Sequence, residues 1–154
     1  MRIINEDITN VTTGIIIHQV NCRNRIGAGV SCPIIKKWPA VETAYHYYCT
    51  SHTPADLLGQ MQTVVVREPD EFGLNGLTIV NSFTQMNYGN AAKTGKVYTN
   101  MRLLVKNILK VCYQNADMTV YVPYGIGCGL AGGNWNELTE WVSDVPNLVV
   151  VQKK

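Results

Sequence analysis

Short runs of consecutive β-branched residues alternate along this chain with stretches whose apolar residues fall three and four apart. "MRII" predicts a first strand running into the polar turn "NEDIT", and "GIIIHQV", Gly14 to Val20, is a continuous apolar run. Such a run suits a strand covered on both faces. "SCPIIKKWPAVETAYHYYCTSH" reads as helical and is interrupted at Pro39, which is expected to start a second helix at its first turn. "GQMQTVVVRE" and "LTIVNSFTQ" predict strands, joined by the turn chemistry of "PDEFGLNG". Across "VYTNMRLLVKNILKVCYQ", Val97, Met101, Leu104, Val105, Ile108 and Val111/Cys112 recur near a helical period, predicting an amphipathic helix. "MTVYVPY" is a strand, "NWNELTEWVSDV" a helix capped by Asn134, and "NLVVVQ" a last strand expected to insert into the sheet. Strands and helices interleave, so the chain is expected to be α/β, with helices on both faces of a central sheet.

No repeat, low-complexity tract or Pro/Ser-rich linker divides the sequence, and one domain over residues 1–154 is expected. With 46% apolar residues there is enough material for a sizeable core. A formal charge of only +2 gives no electrostatic case for a nucleic-acid surface, and nucleic acid is not an expected partner. Cys22, Cys32, Cys49, Cys112 and Cys128 are odd in number and form no CxxC, so reduced, mostly buried thiols are expected rather than disulfides or a zinc site. No Cys/His/Asp/Glu cluster has ligand spacing, so neither a metal nor a cofactor is expected. The chain opens without a basic segment followed by an apolar run, and no apolar stretch approaches the ~20 residues of a membrane span. A cytoplasmic location without membrane contact is the expectation.

Two glycine-rich segments change the picture. "HQVNCRNRIGAGVSCPIIKK" leads from a strand through Gly27-Ala28-Gly29 into a helix after Val30, and "YVPYGIGCGLAGGNW" leads from a later strand into the helix at Asn134. Both lie at the carboxyl end of a strand, the edge where open α/β sheets bind ligands. Main-chain amides unobstructed by side chains hold phosphate oxygens well, and two such loops can clamp a diphosphate. Ordinary βα turns whose glycines merely permit positive φ are the alternative. Neither loop is a GxxxxGK[ST] P-loop, and "GIGCGLAGG" comes too late in the chain for a Rossmann dinucleotide fold.

Taken together, "EDIT", "HQVNC…IGAGV" and "PYGIGCGLAGGNW" resemble the macro domain family of ADP-ribose-binding modules, over nearly the whole chain. The resemblance is greatest to the branch of ADP-ribose-1″-phosphate phosphatases and terminal ADP-ribose protein glycohydrolases. It implies a three-layer α/β/α macro domain fold with a central mixed, mostly parallel sheet of about six strands. It also implies ADP-ribose or a derivative as ligand. Asp7 would accept from the adenine amino group, with the Ile8 backbone donating beside it. Gln19, Val20 and Asn21 would end the first strand of the site, Asn21 on the distal ribose. Gly27, Ala28, Gly29 and Val30 would wrap the diphosphate from one side, and Gly125, Ile126, Gly127, Cys128, Gly129, Leu130 and Ala131 from the other. Asn81, Phe83 and Gln85 would close a neighbouring strand on the same edge.

The glycohydrolases of this branch attack with a lysine and assist with an aspartate, but the matching positions here are Gln85 and Ala131, neither of which is a nucleophile or base. Lys93 and Lys96 follow in "GNAAKTGK", and Asn134 stands where relatives carry an aspartate. The phosphatases' His-x-x-Asn-Cys is reproduced by His18, Asn21 and Cys22. The expected activity is therefore hydrolysis of ADP-ribose-1″-phosphate to ADP-ribose and phosphate, with Asn21 and His18 as catalytic residues. Two rival readings are removal of ADP-ribose from modified macromolecules and non-catalytic ADP-ribose binding. Side chains alternate along a strand, so His18 and Asn21 share a face only if the backbone turns between them; a buried structural histidine is the alternative.

Overall fold

A computed structural model describes residues 1–154. Six strands form one sheet: β1 (Arg2–Asn5), β2 (Gly14–Asn21), β3 (Met61–Arg67), β4 (Leu77–Gln85), β5 (Val120–Pro123) and β6 (Leu148–Gln152). Their order is β1-β6-β5-β2-β4-β3, with every pair parallel except β3 against β4. The terminal run "NLVVVQ" does insert, as β6 between β1 and β5. The sheet is thus mixed and mostly parallel, as expected.

Strand β2 runs through the middle because its β-branched side chains can be buried on both faces. Ile15 and Ile17 enter one core with Leu104, Ile108, Val111, Leu138 and Val142. Ile16 enters the other with Ile34, Val41 and Ile79. A third cluster, Val20, Tyr45, Leu57 and Phe83, continues the second face toward the end of β2. At the start of β2, Gly14 has φ +106°, and a Cβ there would meet the carbonyl oxygen of Thr119 at 2.6 Å. The glycine lets β2 and β5 approach.

Helices α1 (Ser31–Lys37) and α2 (Pro39–Thr50) cover the second face, with Pro39 in the first turn of α2 as the sequence predicts. The other face is covered by α5 (Met101–Gln114) and α6 (Trp135–Val142). Between these pairs lie two one-turn helices, α3 (Pro54–Leu57) and α4 (Ala91–Thr94), too short to show a period in the sequence. The expectation that Val97 starts the long helix is corrected. Helix α5 begins at Met101, where Asn100 Oδ1 accepts the Leu103 N–H at 3.1 Å. Val97 lies outside it and is exposed. Capping stops the helix there because the Asn side chain satisfies an otherwise orphaned amide. Asn134 caps α6 in the same way, accepting from the Glu137 N–H at 3.1 Å. No helix is long and apolar enough to cross a membrane.

Candidate functional site

Strands β2 and β5 are neighbours in the sheet and run parallel, so the two glycine segments that follow them emerge side by side. The first leads into α1 on one face of the sheet and the second toward α6 on the other. A crevice opens where successive connections diverge in this way. Here it is a cleft of about 530 Å³ lined by residues 25–31 of the first loop, residues 124–127 and 129–131 of the second, and the ends of β2 and β4. A second pocket of about 310 Å³ holds Asp7, Ile8 and Lys153, and it meets the cleft at Val30 and Tyr124, which line both.

Most of the residues singled out in the sequence come together here. Gln19, Val20, Asn21, Gly27, Ala28, Gly29, Val30, Gly125, Ile126, Gly127, Gly129, Leu130 and Ala131 all line the cleft, and Asp7 and Ile8 line the adjoining pocket. Cys128 does not line it: its thiol turns back toward the Ile126 carbonyl at 3.3 Å, and burial raises its pKa to about 11. Cys22 is buried as well, and its thiol is likewise pushed up to about 11, so it is no thiolate nucleophile at neutral pH.

The loop glycines have different reasons to be glycine. Gly125, Gly127 and Gly132 have φ of +74°, +71° and +75°, so the turns themselves require them. Gly133 packs under the loop, where a Cβ would stand 2.6 Å from the Gly127 carbonyl oxygen. Gly129 alone has neither demand, since its φ is not positive and a Cβ there would meet nothing within 4 Å. The close approach of a ligand is therefore a separate question only at Gly129; elsewhere the turn reading accounts for the residue.

His18 does not reach the cleft, and its expected role as a catalytic residue is corrected. The ring is fully buried, with Nε2 at 2.5 Å from Asn81 Oδ1 and Nδ1 at 3.2 Å from Ser31 Oγ. Burial lowers its pKa to about 4, only partly opposed by the Asn81 hydrogen bond, so the ring is neutral at pH 7. The polar chain runs on. Asn81 Nδ2 donates to Gln62 Oε1 at 3.0 Å, and Gln62 Nε2 to the Ala44 carbonyl at 2.8 Å. His18 thus links the start of α1 to β4, β3 and α2 through bonds that each need their neighbour.

Asn81 and Phe83 are also withdrawn from the edge. Phe83 stacks on Tyr45 with ring centroids 5.7 Å apart, and only Gln85 of that strand's three candidates lines the cleft. An irregularity in the pairing, where Val20 faces Phe83 but Asn21 faces Gln85, turns the end of β2. The turn sends Asn21 toward α2: its Oδ1 accepts the Arg23 N–H at 2.9 Å and its Nδ2 donates to the Arg25 carbonyl at 2.6 Å. Asn21 is thereby the brace of the first loop. Gln19 braces the second, donating to Gln85 Oε1 at 3.0 Å and Thr99 Oγ1 at 2.9 Å, while Thr99 donates to the Gly127 carbonyl at 2.5 Å.

In the adjoining pocket Asp7 accepts from the Thr9 N–H at 2.9 Å and the Thr9 hydroxyl at 2.7 Å, and Lys153 Nζ lies 3.2 Å from its other oxygen. Those Thr9 bonds foremost, with Lys153, bring its pKa down to about 2. Sequence reasoning missed Arg25, Tyr88, Gly89, Asn90 and Tyr124, all of which line the cleft. Arg25 immediately precedes the first glycine loop and could have been found by that position; Tyr88 lies beyond the strand and carries no local signal. Arg25 is the only charged residue on the lining. Lys93 and Lys96 are exposed and line neither space.

No protein-family model matches the chain. Over 100 residues it is 31% identical to a protein named ADP-ribose 1″-phosphate phosphatase from the yeast Debaryomyces hansenii. That match spans 61% of this chain and 56% of the relative, so it covers little more than half of either. Among solved structures, a protein of unknown function from Bacteroides thetaiotaomicron is similar with a TM-score of 0.77 and 25% identity, over 99% of this chain and 96% of that one. The macrodomain of Mycobacterium tuberculosis DarG superposes with a TM-score of 0.70 at 19% identity, covering 99% and 97%. Thermosipho africanus DarTG, solved in complex with ADP-ribose, has a TM-score of 0.70 at 14% identity, covering 99% of this chain and 41% of its own. With its strand order, its paired loops and these likenesses, the chain has the macrodomain fold.

Proposed function

We propose that the chain binds ADP-ribose and hydrolyses ADP-ribose-1″-phosphate to ADP-ribose and phosphate. The observation that carries this reading is the cleft flanked by both glycine loops and adjoined, at Val30 and Tyr124, by the pocket of Asp7 and Ile8. The adenine lies by Asp7, the diphosphate between the loops, and the distal ribose toward Asn21 and Gln85. The phosphatase name of the Debaryomyces relative and the ADP-ribose bound in the Thermosipho structure support it.

Hydrolysis of the monoester needs a water in line with the departing ribose oxygen and donors around the phosphoryl oxygens. Loop amides and the Arg25 guanidinium are suited to the second task. No carboxylate, lysine or imidazole lines the cleft, so the proton released by the attacking water passes to the departing ribose oxygen without a side-chain relay. The P–O bond to the ribose breaks as the bond to water forms, leaving ADP-ribose and inorganic phosphate.

The same lack of a carboxylate, lysine or imidazole favours a second reading, in which the domain binds ADP-ribose without turning it over. Calorimetry with ADP-ribose tests the premise the two share: affinity no greater than for AMP would count heavily against both. Phosphate release from ADP-ribose-1″-phosphate by the wild type then separates them, and Asn21→Ala, which unties the first loop, is expected to lose turnover. Faster cleavage of a carboxylate-linked ADP-ribosyl protein than of the phosphate ester would make the preferred reaction the wrong one.

A further inference from the structure

The lone charge on the cleft lining is held more firmly than an exposed loop arginine ordinarily is. The Arg25 N–H donates to Tyr45 Oη at 3.0 Å, and its carbonyl accepts from Asn21 Nδ2 at 2.6 Å, so the backbone at this residue is pinned on both sides. The guanidinium reaches the segment after β4, whose Tyr88 also lines the cleft. There Nη1 donates to Tyr88 Oη at 3.1 Å, and the guanidinium carbon lies 4.8 Å from the Tyr88 ring centroid.

No carboxylate neutralises it, since the ion pairs of the chain are His46–Glu42 and Lys153–Asp7. Of its five N–H donors, only one on Nη1 is engaged by the protein. Arg25 is tied through its carbonyl to Asn21, and both line the cleft, as Tyr88 does. On the orientation proposed above, Asn21 marks the end occupied by the distal ribose.

We propose that the Arg25–Tyr88 bridge is the specificity element for a phosphate monoester on the far end of the ligand, so that the cleft prefers ADP-ribose-1″-phosphate to ADP-ribose itself. This rests on the ADP-ribose reading of the cleft. A planar guanidinium offers paired N–H groups that match phosphate oxygens, and an unpaired one loses no protein partner on engaging them. The Tyr88 ring and hydroxyl hold the guanidinium and leave its other N–H groups for the ligand. A bare distal ribose carries no charge for it to meet. The diphosphate, common to both ligands, is served by the loop amides.

Calorimetry of the wild type, Arg25→Met and Tyr88→Phe with both ligands tests this, the phosphate ester being supplied as an analogue whose bridging oxygen is replaced so that it is not hydrolysed. Arg25 is exposed and its backbone hydrogen bonds survive substitution, so the variants are expected to fold. The wild type is expected to bind the phosphate ester at least about tenfold more tightly than ADP-ribose, the range of a charge-assisted contact. Arg25→Met should bring that ratio to about twofold or less, and Tyr88→Phe should lower it part of the way. Equal wild-type affinities, or a ratio that Arg25→Met leaves intact because both ligands weaken alike, would overturn the assignment while sparing the ADP-ribose reading. Failure of the wild type to bind either ligand would overturn that reading, and this assignment with it.

Discussion

The phenol of Tyr45 on α2 donates to the main-chain carbonyl of Asn21 at 2.8 Å, joining the helix that covers the sheet to the residue that ends β2. The same oxygen accepts the Arg25 N–H at 3.0 Å. One buried hydroxyl therefore ties the core to both ends of the turn that starts the first glycine loop. Tyr45→Phe keeps the ring and its stacking on Phe83 but leaves a buried carbonyl and an amide short of a partner. It should cost about 1–3 kcal/mol of stability in urea titration. It should also weaken ADP-ribose binding, because the loop loses its tether. Unchanged stability would mean that water takes over the hydroxyl's place.

Gly129→Val should abolish ligand binding with a change in stability of no more than about 0.5 kcal/mol, because nothing in the protein stands near its Cβ. Gly133→Val is the contrast: its Cβ meets the Gly127 carbonyl oxygen at 2.6 Å, and overpacking of that kind costs about 1–3 kcal/mol. Melting curves and calorimetry on the pair check this. An unfolded Gly129→Val would show that the turn, not a ligand, needs the glycine.

Acid should weaken the fold through His18. Its pKa is 6.5 unperturbed and about 4 in the folded protein, so between those values the unfolded state binds more protons. The contribution is complete above about pH 6.5 and is lost as pH falls toward 4, amounting to up to about 3 kcal/mol for a shift of this size. Urea midpoints at pH 7 and pH 5 should differ in the wild type and converge in His18→Gln. A wild type equally stable at both values would contradict the neutral buried ring.

The ion pair of Lys153 with Asp7 is a partly exposed contact, with the lysine side chain 77% accessible. Lys153→Ala should change stability by no more than about 0.5 kcal/mol, because solvent screens such pairs. A larger loss in thermal melts would mean that the lysine stem packs where it now looks free.

The elements were largely legible. β2 announces itself by its β-branched run, and Asn134 is a recognisable cap, because both signals lie within one short window of chain. The start of α5 was misread because Val97 fits the period, while the cap at Asn100 that ends it upstream is a local hydrogen bond that periodicity does not count. At the cleft, the glycine loops were visible and Arg25 was not. A lone arginine before a loop has no pattern, and its pinning comes from Tyr45, twenty positions away.

His18 shows the limit most clearly. Alternation along β2 says which face it shares with Ile16 and Val20, but whether that face meets solvent depends on how far α1 and α2 extend over it. Ser31 and Asn81, which occupy its two nitrogens, come from other elements. By itself the amino-acid order determined the strands, the helices and the two glycine-rich turns behind strands, since hydrophobic period and backbone preference act over a few residues. Only the tertiary structure decided that β5 lies against β2, bringing together turns nearly a hundred residues apart, and that the histidine faces inward while an arginine lines the cleft. Those outcomes are pairings between distant segments, won by shared burial and hydrogen bonding that no local stretch of chain encodes.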